Sequence, residues 1–138
     1  MVASHFSGGG LASPRAVVPR AAYLAVMTGM AVVLPVLGGV QFSAVLRRPG
    51  ARINLPNGEY WLAPARQAET FAFLRAWFTV LPMMVVLLLC DVHWLVVRAN
   101  AQSPARMDTH AVGLAVVAFA AALVVWLGAL FWRFGRPQ

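Results

Sequence analysis

Three apolar runs, 21–46, 76–97 and 111–132, set the terms on which this chain can fold. A bilayer's hydrocarbon core is about 30 Å thick and takes roughly 20 residues of helix to cross, so each run is long enough for one passage. Inside lipid every backbone N–H and C=O must be satisfied within the protein, which restricts spanning segments to helices or closed barrels. These runs are too long for barrel strands. In a chain of 138 residues that is 61% hydrophobic and 11% charged, little else remains from which to build a water-soluble core. The expected fold is all-α: an integral membrane helical bundle of three transmembrane helices plus an interfacial loop and helix. A flexible N-terminal segment (1–20) leads into a single transmembrane domain (21–138), with the central loop at 47–75.

The charge agrees with that reading. Eleven arginines and no lysine stand against four acids, for a net charge of +7. On a soluble chain this balance would raise nucleic-acid binding. Here the arginines flank apolar runs, where they meet lipid phosphates, and no separate basic face exists for a nucleic acid. Membrane lipids are therefore the expected partners, together with another membrane protein or a second copy. Ala21, Ala25 and Gly29 recur every four residues in the first run, a small-residue stripe that lets a second helix approach closely. Pro35 should kink that helix by removing a backbone donor. The single cysteine, Cys90, excludes an intrachain disulfide.

Arginine distribution also gives an orientation. The central loop and C-terminal tail hold Arg47, Arg48, Arg52, Arg66, Arg75, Arg133 and Arg136; the other side holds Arg15, Arg20, Arg98 and Arg106. The positive-inside rule then places the central loop and the C-terminus in the cytoplasm and the N-terminus outside.

The most patterned polar stretch lies in the central loop. In Leu55-Pro56-Asn57-Gly58, Pro56 fixes φ, Asn57 tolerates the next turn position, and Gly58 lets the chain leave at positive φ. Asn54, Asn57 and Glu59 offer a polar edge for recognition, but Asn side chains bonded to local backbone explain them better. Tyr60 and Trp61 are rings suited to headgroup depth, as are the tryptophans near the ends of the runs. Pro64 fits the first turn of a helix. That helix brings Arg66 and Glu69 to i,i+3 spacing and runs without a break into the second span, past Pro82.

Asp91 and His93 are the intramembrane polar pair. An acid within a span is a functional candidate, yet Asp91 lies seven residues before Arg98 on one helix face, which predicts a structural role near the interface, either an ion pair with a snorkelling arginine or contact with interfacial water. His93 points about 200° away from Asp91. With the assigned orientation His5, Asp91, His93, Asp108 and His110 all approach the outer face. Imidazole and carboxylate suit zinc or a similar divalent ion, but no ligand-spacing element ties any two together, so neither metal nor cofactor is assigned. No nucleophile elbow, phosphate-cradling loop or paired carboxylates occur, so an enzyme is not expected.

Val2-Ala3-Ser4-His5-Phe6, followed by Gly8–Gly10, resembles the His-aromatic…Gly signature of a bacterial domain of unknown function. That domain is also found N-terminally in Sdp-type toxin-immunity membrane proteins. Asn54-Leu55-Pro56-Asn57 and Tyr60-Trp61-Leu62-Ala63-Pro64 resemble a second signature in the family's short members. The resemblance implies a small bacterial inner-membrane protein, normally of four spans, and carries over no catalytic residue. A span precedes the His signature in that family, which leads to the expectation that the natural reading frame extends upstream of Met1 or that this form has lost its first span. Two functions are then expected of the chain. The first is a non-catalytic interaction, signalling or immunity-type accessory protein. The alternative is an oligomeric transporter or channel component that uses Asp91 and His93.

Overall fold

The computed structural model describes residues 1–7, 9–11, 17–46 and 53–136. Arg15, Arg47, Arg48 and Arg52 of the charge comparison, and Gly8 of the N-terminal signature, lie outside the described residues. The chain is an all-α helical bundle. After a two-residue ribbon, β1 (Val2–Ala3) against β2 (Val17–Val18), come α1 (Arg20–Leu46), α2 (Gly58–Trp61), α3 (Pro64–Phe78), α4 (Val80–Asn100) and α5 (Thr109–Phe134). Among the described residues three helical stretches are long and apolar enough to cross a membrane: Arg20–Phe42, Pro64–Asn100 and Thr109–Phe134. Few of their side chains are buried within the chain, and Val36, Leu87, Leu114 and Val125 are all more than half exposed. Such surfaces would be costly in water and are matched by lipid tails or by a partner helix.

Asp108 starts α5 by accepting the Ala111 N–H at 3.0 Å, satisfying one of the four donors that a helix leaves orphaned. Pro64 starts α3 at the position where its missing N–H is not needed. The expected unbroken passage from α3 into α4 is interrupted at Thr79 alone. Pro82 has no N–H for the Phe78 carbonyl, and the Thr79 N–H turns to the i−3 carbonyl of Ala76 at 3.3 Å. Thr79 keeps right-handed helical angles, so the direction of the chain carries through. Pro35 lies inside α1 without ending it.

α4 is the middle of the bundle: α1 and α5 both pack on it and scarcely on each other. The helices alternate in direction, which gathers the loops at two ends. At the N-terminal end the first residues meet the α4–α5 connection. Asn100 acts as a surrogate strand, its Oδ1 accepting the Ala3 N–H at 2.8 Å and its Nδ2 donating to the Ala3 carbonyl at 3.0 Å. The Met107 N–H donates to the Gly10 carbonyl at 2.6 Å. Gly10 holds φ at 78°, and a Cβ there would collide with the Met107 carbonyl, so glycine is required twice over. Main-chain bonds thus join described residues of the N-terminal segment to α4 and the α4–α5 connection. At the C-terminal end lies a buried apolar cluster. Leu74 and Phe134, each 1% exposed, are surrounded there by Phe42, Trp61, Phe71 and Phe73.

Candidate functional site

The central-loop motif forms a clasp on the end of α5. Asn57 takes the left-handed conformation (φ 53°, ψ 40°), and Gly58 instead begins α2, so the positive φ expected at Gly58 falls one residue earlier. Asparagine tolerates that region, and its use there frees the amide to reach outward. The expectation of local side-chain bonding is also replaced. Asn57 Nδ2 and Trp61 Nε1 each donate to the Phe134 carbonyl at 3.0 Å, across 77 and 73 residues of chain. This carbonyl belongs to the last residue of α5 and is one of those a helix cannot satisfy internally. Thr70 Oγ1 then donates to the Trp61 carbonyl at 2.8 Å, tying the clasp to α3. The Trp61 ring meets Phe134 edge-on at 5.3 Å. Pro56 precedes the left-handed residue, Pro64 follows the clasp, and Asn54 and Glu59 are exposed beside it.

The i,i+3 pair of Arg66 with Glu69 does not form: among the described residues no arginine lies within ion-pair distance of a carboxylate. Arg66 lies over the Tyr60 ring at 3.9 Å, Arg133 over Phe73 at 4.1 Å and Arg136 over Trp132 at 3.8 Å. The tryptophans divide. Trp94 and Trp132 are exposed, as membrane anchors would be, whereas Trp61, Trp77 and Trp126 pack inward. Trp77 and Trp126 stack at 6.1 Å, and neither buried indole N–H has an acceptor among the described residues.

His93 and Asp91 are separated by α4 itself. His93 faces α1, where its ring stacks on Tyr23 at 5.5 Å and Nδ1 is 3.1 Å from the Tyr23 hydroxyl. Tyr23 is only 6% exposed, so this pair holds α1 to α4. Asp91 stands on the other side and is exposed, on a face shared with Met83, Leu87, Cys90, Trp94 and Arg98. The expected ion pair of Asp91 with Arg98 is absent. Both side chains lean toward the N-terminus, so the lean closes none of the roughly 10 Å that separates their Cα atoms along the axis.

Among the described residues no three His, Cys, Asp or Glu side chains come together to hold a metal. His5 is exposed, His93 is taken up by Tyr23, and Asp91 faces outward. Asp108 and His110 share a small polar recess with Arg106 and Gln102, and Asp108 already caps α5. Beside that recess, where α1 and α5 part over α4, lies an apolar cavity of about 560 Å³. Tyr23, Met27 and Val96 line its walls, and the N-terminal residues Phe6 and Ser7 form its roof.

The small-residue stripe is left open. Ala21 and Ala25 are exposed, and a Cβ on Gly29 would meet nothing within 4 Å. Sequence reasoning missed Asn100 and Tyr23 as fastening residues, although each is a polar group at the end of an apolar run and so in need of a partner. Family models, curated proteins and solved structures were all compared with the chain, and none matches.

Proposed function

We propose that this chain is a non-catalytic accessory protein of the bacterial inner membrane, which associates laterally with another membrane protein through the outer face of α4. One observation carries the reading: Asp91, an acid within a span, is turned out of the bundle and has no ion pair. A carboxylate presented to lipid within a span costs up to about 2.5–3.5 kcal/mol on insertion scales, the full figure applying at the helix centre. A partner helix that offers a donor or a cation to Asp91 offsets that cost, and the apolar neighbours Leu87 and Trp94 supply packing around it. The open stripe of Ala21, Ala25 and Gly29 favours the same reading on α1. The resemblance of the His5-Phe6 and Tyr60–Pro64 segments to the Sdp-immunity domain family supports the setting. The arginine count supports a cytoplasmic C-terminus.

The transporter alternative needs Asp91 and His93 on one pathway. Their positions on opposite sides of α4, with His93 engaged by Tyr23, favour the accessory role. Proteoliposomes test the choice. No proton or cation flux above that of empty liposomes is expected. Flux that is present in the wild type and lost in Asp91→Asn at unchanged stability would overturn the reading.

A further inference from the structure

At the C-terminal end of the bundle, Arg66, Arg133 and Arg136 converge on one cleft of about 520 Å³, with Glu69 and the rings of Tyr60 and Trp132 completing its wall. Each guanidinium carbon lies over the face of an aromatic ring, 3.9, 4.1 and 3.8 Å from its centroid respectively. Stacking holds the planar group by its face and leaves the N–H edges available, the arrangement in which arginine binds phosphate bidentately. Among the described residues none of the three guanidinium groups has a side-chain hydrogen bond or a carboxylate partner. Among the described residues that line the cleft Glu69 is the one acid, against three arginines.

We infer that this cleft binds the headgroup of a dianionic phospholipid, one carrying two phosphodiesters, as in diphosphatidylglycerol. Charge sets the class: the surplus of two positive charges complements two phosphates, and each phosphate can meet a stacked guanidinium. Position sets the source. Arg133 and Arg136 stand on either side of Phe134 at the end of α5, and Trp132 beside them is 66% exposed, as expected for a ring at the headgroup level. Basic recesses between spans at this depth are suited to multiply charged lipid headgroups. The acyl chains would lie along the exposed sides of α5. The site is separate from the outer face of α4, so it stands or falls independently of the accessory role.

Native mass spectrometry of the full chain in mild detergent tests the inference, with diphosphatidylglycerol, phosphatidylglycerol and phosphatidylcholine added at matched concentrations. Diphosphatidylglycerol should be retained about tenfold over phosphatidylglycerol, the size of one additional charge-assisted hydrogen bond, with phosphatidylcholine weaker still. Arg66→Gln and Arg136→Gln, both at exposed positions, should each weaken that retention by about the same factor. Glu69→Gln removes the opposing charge and should tighten it, a gain that a folding defect cannot produce. Free pyrophosphate at the lipid's concentration should leave the complex intact. Equal retention of the three lipids, undiminished binding in the combined Arg66→Gln, Arg136→Gln variant, or displacement by pyrophosphate would each overturn the inference.

Discussion

Removing the two donors on the Phe134 carbonyl, singly and together, probes the clasp most sharply. Asn57→Gly preserves the left-handed backbone and deletes the amide; Trp61→Phe keeps a ring against Phe134 and deletes the N–H. Either loss alone leaves the carbonyl with one donor at 3.0 Å, so each should destabilise by about 1 kcal/mol, the net worth of an ordinary hydrogen bond. Losing both is different in kind. Phe134 is 1% exposed, so water has poor access to its carbonyl, and an unsatisfied buried acceptor costs a further ~1–3 kcal/mol. The double variant should therefore be destabilised by roughly 3–5 kcal/mol, with a coupling energy of at least ~1 kcal/mol. Equilibrium unfolding in mixed micelles, followed by far-ultraviolet circular dichroism, measures all four corners of the cycle. Additivity within about 0.5 kcal/mol would refute a shared, shielded acceptor.

Asn100→Ala removes both bonds to Ala3, so residues 1–7 should become open to proteolysis while the helical signal is unchanged. Tyr23→Phe loses the hydroxyl at His93 Nδ1 and should cost about 1 kcal/mol in the same micelle assay, with His93→Ala costing more because the ring stack goes too. For orientation, single cysteines replace Gly58 and the exposed loop residue Gln102 in a Cys90→Ala background, and cells are treated with an impermeant thiol reagent. Labelling at Gln102→Cys but not at Gly58→Cys in intact cells is expected; the converse contradicts the arginine count.

The bundle was legible because length and hydropathy suffice: a run of more than 20 apolar residues has few folds open to it in lipid. Pro64 as a helix start could be placed by local chemistry, whereas Asp108 as the cap of α5 was not read from its position. Facing could not be read either. A helix that is apolar all round carries no moment to say which side meets a neighbour, so Asp91 could be located in α4 but not turned inward or outward. Its ion pair with Arg98 was inferred from spacing on a face, and shared facing does not close the two turns, about 10 Å, between them. The Asn57 motif shows a related gap. Its turn chemistry was visible, yet its amide serves a carbonyl 77 residues away, a relation no local pattern encodes. The orphan carbonyls at the end of α5 were the available signal, since some donor had to reach them.

Photo-crosslinking from the outer face of α4 tests the central claim most directly. A benzophenone side chain replaces Trp94, which is 58% exposed and one turn from Asp91, or Val124 of α5, which is 69% exposed and away from that face. Illumination of cells should give a discrete adduct larger than the chain from position 94 and none from position 124. The position-94 adduct should disappear when Asp91→Leu is added, with protein level and micelle stability unchanged. Equal labelling from both positions, or a position-94 adduct that survives Asp91→Leu, would contradict a docking face organised around Asp91.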